Sequence, residues 1–206
     1  MKKIILFISI IMLITACDQL GFGKSTENLP PTARGQWADS ATASDAAGGL
    51  FGGNSDDQSP SAAIGAPDVD VCDDSMSAWT TSQPNDGFHH LELKYYDKVY
   101  PKTIRIHETF NPGAIDRIEL LNNNEYITVW DSKPYDYRKC PMWFETSFNG
   151  EFKENITMDM LNFKTDTVKI TIDTNKIDGW NEIDAVELIG YDNRWYNFNK
   201  SLYVID

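Results

Sequence analysis

Acidic side chains crowd the stretch Ser61 to Trp79 (SAAIGAPDVDVCDDSMSAW), and there the residue types first suggest chemistry. Asp68, Asp70, Asp73 and Asp74 could donate oxygens to a hard cation such as calcium, which gathers about six to eight of them. An EF-hand register fails. Counted from Asp68, the sixth position is Asp73 where glycine is needed, and the twelfth is Trp79 where a bidentate Glu is needed. A calcium loop of another kind stays open, as does the plainer reading that these acids face water. The histidines are His89, His90 and His107. His107-Glu108 starts like the metal-binding helix H-E-x-x-H, but position 111 is Asn and the segment alternates like a strand. His89 and His90 are adjacent, so a strand would send them to opposite faces, and neither reads as a ligand. No G-x-S-x-G elbow, phosphate-cradling glycine loop or paired thiolate site is present. A glycosidase-type carboxylate pair is not singled out among 31 acids, and a hydrolase is kept only as an alternative. Sugar recognition needs exposed aromatic faces beside polar groups, and Tyr135, Tyr137, Arg138 and Trp143 supply both. The same aromatics could instead roof a core. Trp79, Trp130 and Trp180 read as core, and Glu108 as an acceptor that steadies a turn.

Strands must position these groups. Ile104 and Ile106 alternate with Thr103, Arg105 and His107, the period of a strand with one buried face. Asn111-Pro112-Gly113 breaks the pattern with type II turn chemistry, and Ile115, Ile118, Leu120 and Leu121 resume it as the second arm of a hairpin. Further strands are expected over Phe88–Tyr96, with Leu91, Leu93 and Tyr95 inward and Lys98-Val99-Tyr100-Pro101 turning the chain into the hairpin, and over Glu125–Trp130, Val168–Ile172 and Ile183–Ile189. A marginal first strand fits ADSATAS, and an edge strand fits Leu202–Ile205. Residues 131 to 165 read as the longest irregular region, and Gly48 to Asn54 as an excursion within a segment that is either ordered or not up to Pro60. Short strands without a long amphipathic helix predict an all-β antiparallel sandwich or jelly roll.

The chain starts with Lys2 and Lys3, an apolar run Ile4–Ile14, and Thr15-Ala16-Cys17. The run is too short to span a bilayer, which takes about 20 residues, and fits a signal peptide over residues 1–16. Leu13-Ile14-Thr15-Ala16-Cys17 resembles the bacterial lipobox, which implies lipidation of Cys17 and a bilayer as partner; an ordinary secretory leader is the alternative. Asp18 resembles an inner-membrane retention signal. Residues 17–35, rich in Gly, Pro, Ser and Thr, read as a tether, and residues 36–206 as the folded domain. In an exported protein, the remaining Cys72 and Cys140 read as one disulfide, with two separate thiols as the alternative. The formal charge is −13; without Lys2 and Lys3 the balance is 16 basic against 31 acidic residues. Such a body repels nucleic acid, and no basic cluster opposes that.

Four segments together resemble a known group. They are Ala63-Ile64-Gly65-Ala66-Pro67-Asp68, Ala78-Trp79, Glu108-Thr109-Phe110-Asn111-Pro112-Gly113-Ala114 and Glu182-Ile183-Asp184-Ala185-Val186-Glu187-Leu188-Ile189-Gly190. They look like the discoidin-like, galactose-binding-type β-sandwich, in the variant seen in pappalysin-related and F-box/leucine-rich-repeat proteins. The likeness spans residues 36 to 191; the Gly-rich stretch before Ala63 departs from it. It implies adhesion or glycan binding through loops at one end of the sandwich, and a structural Ca2+ held by Asp70, Asp74, Ser77 and Glu187. The expected protein is a non-catalytic, membrane-anchored envelope lipoprotein that binds a glycan or envelope polymer, with an envelope-protein scaffold as the rival reading.

Overall fold

In a computed structural model the described residues are 33–50, 57–131, 139–147 and 162–192. They build strands β1 (Arg34–Trp37), β2 (Ser40–Ala43), β3 (Phe88–Glu108), β4 (Ile115–Asn122), β5 (Glu125–Asp131), β6 (Met142–Ser147), β7 (Thr165–Asp173) and β8 (Ile183–Tyr191), with one 3-10 turn at Pro60–Ala63. Every pairing is antiparallel. One layer runs β1-β8-β3-β6 and the other β2-β3-β7-β4-β5.

Strand β3 belongs to both layers. Its first half, Phe88 to Lys94, pairs with β2 and β7, and its second half, Thr103 to Glu108, pairs with β8 and β6. Register shifts between Lys94 and Val99 and between Pro101 and Thr103 mark where it crosses. Bulges of this kind bend and twist a strand, which lets one segment serve two sheets. At the crossing, a Cβ on Gly190 would lie 2.6 Å from the Tyr100 carbonyl oxygen and 2.4 Å from Val99 Cγ2, so only glycine fits there.

The core lies between the layers. Ile104, Ile106, Val186 and Leu188 come from one side; Leu91, Leu93, Ile118, Leu120, Val168, Ile170 and Ile172 come from the other, all essentially solvent-free. The alternation of these residues is what selects which face each strand buries. Tyr95 joins them, and its hydroxyl donates to the Val186 carbonyl at 3.2 Å.

Four expectations change. Asn111-Pro112-Gly113 is not a hairpin turn, because β3 and β4 do not pair with each other. It arches from one layer to the other, with Asn111 at φ 42° and Gly113 at φ 110°. The turn before Pro101 is likewise no turn, since β3 continues through it. The irregular stretch contains β6, an edge strand with Trp143 and Glu145 alternating against Phe144 and Thr146, a signal too short to see among so many aromatics. Finally, β1 opens at Arg34, inside the stretch assigned to the tether. Its four residues carry no alternation, and a Cβ on Gly35 would meet the Glu187 carboxylate at 1.9 Å, so a larger residue there would have to push that side chain aside. Leu202–Ile205 lies outside the described residues.

Candidate functional site

The outward side chains of the β8 layer follow from strand parity. Val186, Leu188, Ile104 and Ile106 face the core, so Glu187 and Arg105 between them face out. The register sets Trp37 opposite Glu187, Glu187 opposite Arg105, and Arg105 opposite Glu145, a row across four strands. One step along, Ala185 stands opposite His107 and His107 opposite Trp143.

Trp143 is 47% exposed, yet it rests on a buried support. Its ring lies 4.6 Å from the His107 ring at 32°, and 6.3 Å from the Trp37 ring at 43°. His107 Nδ1 is 2.9 Å from Asp184 Oδ2, and both residues are buried. A register shift between His107 and Glu108 leaves Asp184 as the extra residue on β8, which turns its carboxylate toward the imidazole. The Val69 amide donates to the same oxygen at 3.2 Å. Beside this stack, Arg105 Nε donates to Glu145 Oε2 at 2.6 Å and Nη1 to Glu187 Oε2 at 3.4 Å. The bond to Glu145 pushes the guanidinium pKa higher still. The result is a braced indole face next to a planar cation and two carboxylates. Such a surface can stack on the C–H face of a sugar ring and exchange hydrogen bonds with its hydroxyls.

The disulfide Cys72–Cys140 is present, with Cα atoms 5.0 Å apart. It ties the acidic loop to the residues just before β6. Asp70 and Asp73 are exposed there, Asp74 Oδ1 accepts from Gln58 Nε2 at 2.7 Å, and the Ser77 amide donates to Ser75 Oγ at 3.2 Å. Asp70, Asp74 and Glu187 are not a trio of acids whose ligand atoms lie within 4.8 Å of one another. Parity puts Glu187 on the outer face with Arg105, and the acid that reaches this loop from beside β8 is Glu182, whose Oε1 accepts the Ser75 amide at 2.9 Å. Among the described residues, the acid and histidine trio whose ligand atoms lie within 4.8 Å of one another is Asp45, Asp86 and His89. Hydrogen bonds already hold these groups: His89 Nε2 to Asp86 Oδ1 at 2.7 Å, and the Ser82 amide and hydroxyl to Asp45 Oδ2, each at 2.8 Å. Only the Asp86-x-x-His89 spacing hinted at this in the sequence.

At the end of the sandwich that carries the Asn111–Gly113 arch, Glu108 does steady the turn, accepting the Gly113 amide at 2.8 Å. Burial pushes its pKa up to about 7. Glu182 accepts the Thr109 hydroxyl at 3.0 Å; burial, reinforced by Asp74, pushes it up to about 8. Both carboxyls are closed to solvent, so their raised pKa values serve the loop junction and do not make an open acid–base cleft. Trp79 is fully buried as expected, and Trp130 packs against the core, but Trp180 is 40% exposed. Tyr135, Tyr137 and Arg138 lie outside the described residues, as does Cys17.

The fold is that of a galactose-binding-domain-like antiparallel β-sandwich, shared with a solved structure. A chitosan-binding module from a chitosanase/glucanase of Paenibacillus sp. IK-5 covers 73% of this chain and 94% of its own, at 12% identity and a TM-score of 0.50. The family 32 carbohydrate-binding module of C. perfringens NanJ, solved in complex with galactose, covers 76% of this chain and 99% of its own, at 16% identity and TM-score 0.47. Among curated proteins, F-box/LRR-repeat protein 4 of Bos taurus is 32% identical over 107 residues, 49% of this chain but only 16% of that protein. The family described as "Pappalysin-1, SD scarf domain, C-terminal" matches residues 32–198, and the chain belongs to it.

Proposed function

We propose that this protein is a membrane-anchored envelope lipoprotein whose sandwich is a non-catalytic carbohydrate-binding module, with its binding surface on the outer face of the β8 layer. The observation that carries this reading is Trp143, an exposed indole held flat by the buried His107–Asp184 pair and flanked by Trp37 and Arg105. Burying a hydrogen-bonded polar pair beneath an exposed aromatic costs desolvation that a plain surface strand has no need to incur. Structural relatives named for chitosan or galactose add support for a sugar ligand. The lipobox-like Leu13–Cys17 and the polar tether behind it support anchoring through an acylated Cys17, with the sandwich on the extracytoplasmic side.

The test is a glycan array probed with the full chain in detergent micelles, wild type against Trp143→Ala. Binding that the substitution weakens by more than about tenfold is the expected outcome, in line with the loss of a stacked anchor. Binding indifferent to Trp143 would place the site elsewhere. An envelope-protein scaffold role remains the second reading, and silence of the whole array, in calcium and in chelator, would favour it.

A further inference from the structure

We infer that the aromatic face selects an amino sugar carrying a free, protonated amine, a glucosamine-type unit, over neutral N-acetylated and over uronate-bearing sugars. This rests on the carbohydrate reading above and names its ligand class. The reason is charge placed around π faces. Glu145 follows Trp143 two residues along the same side of β6, and Glu187 stands opposite Trp37. On the other border, the Val69 amide bond to Asp184 and the Cys72–Cys140 bridge draw the acidic loop against the start of β6, three residues ahead of Trp143. That loop brings exposed Asp70, Asp73 and Asp74.

Among the described residues, the cations facing this region are fewer. Arg105 is already engaged by Glu145 and Glu187, and Lys139 is an exposed side chain next to the bridge. His107 and Asp184 lie beneath the indole as a pair. Among the described residues, Glu145, Glu187 and the acids of the tied loop therefore stand on this side against Arg105 and Lys139, and the chain as a whole carries −13. An ammonium gains from both features, attraction to the indole face and attraction to the acidic border. An acetamide loses the charge. A uronate carboxylate meets repulsion from the same border.

The experiment is isothermal titration of the full chain in detergent micelles with three probes of equal length, below neutral pH: a glucosamine tetramer, its fully N-acetylated counterpart and an oligo-uronate. Wild type is compared with Trp143→Ala and with the doubly neutralised Asp70→Asn/Asp73→Asn, whose exposed side chains can be changed without touching the core. The expected result is a preference of about tenfold for the free amine, the worth of one partly desolvated cation–π contact. That preference shrinks with added salt and with the Asp→Asn pair, and all binding is lost with Trp143→Ala. Equal or better binding of the N-acetylated tetramer or the uronate, still dependent on Trp143, overturns the amine selection and leaves the carbohydrate reading standing. No Trp143-dependent binding of any of the three takes down both.

Discussion

Water reaches 47% of Trp143, so its removal costs less than that of a core tryptophan. Trp143→Ala should lower stability by about 1–2 kcal/mol while abolishing sugar binding, a split that thermal melts and titration on the same sample will read. His107 is the reverse case. His107→Ala leaves a buried carboxylate, Asp184, with the Val69 amide but without its imidazole, and should cost about 1–3 kcal/mol in chemical denaturation, besides loosening the indole above it. Glu108 and Glu182, both buried, make a pH prediction. Their ordinary value is 4.5, and in the fold they rise to about 7 for Glu108 and about 8 for Glu182. Between those limits the folded chain holds more protons than the unfolded one, so stability falls as pH rises through that window. Melting temperature should therefore drop from about pH 5 to about pH 9, and Glu108→Gln with Glu182→Gln should flatten the slope. A slope unchanged by the pair of substitutions would show that other groups carry it. At this scale the sequence was informative where a role is local. Glu108 as acceptor for the Asn111–Gly113 turn could be read from spacing of five residues. The His107–Asp184 pair could not, because it depends on a register shift between strands separated by 77 residues.

Among the elements, strands with buried alternation were the legible ones: Leu91, Leu93 and Tyr95, then Ile104 and Ile106, then Val186 and Leu188 all lie where their period puts them. What the pattern does not encode is partner choice. Nothing in Phe88–Glu108 says that one strand serves two layers, and nothing in Asn111-Pro112-Gly113 separates a hairpin from an arch, since the turn chemistry is the same for both. β6 escaped because six residues at an edge leave only three inward positions to show a period. Its anchorage is covalent as well as through the β3 ladder. The Cys72–Cys140 bridge closes a span of 68 residues and should contribute about 4 kcal/mol through the unfolded chain. Cys72→Ala/Cys140→Ala should lower the denaturant midpoint accordingly and weaken sugar binding, because β6 carries Trp143. Gly190→Ala should destabilise more sharply than an ordinary surface change, since the new methyl meets the Tyr100 carbonyl at the crossing of β3.

For the molecule as a whole, acidity and alternating strands were readable from the residues alone, and the acidity sets what the surface attracts. The lipobox-like leader makes a separate prediction. Mass spectrometry of the first peptide of the mature chain should show a diacylglyceryl-modified Cys17, and Cys17→Ala should move the protein out of the membrane fraction. The proposed location of the sugar on a sheet face, instead of on end loops, was not legible, because Trp37 and Trp143 lie 106 positions apart in sequence and meet only across β8 and β3. That location is the centre of the account. The chain has six tryptophans, so its indole N–H region in a two-dimensional NMR spectrum is sparse enough to follow each one. On titration of the full chain with glucosamine and N-acetylglucosamine tetramers, the indole signals of Trp37 and Trp143 should move together, while that of Trp79, buried and bonded to the Asp45 carbonyl, stays in place. Sugar binding that leaves Trp37 and Trp143 unmoved, or that moves Trp180 alone, would contradict it.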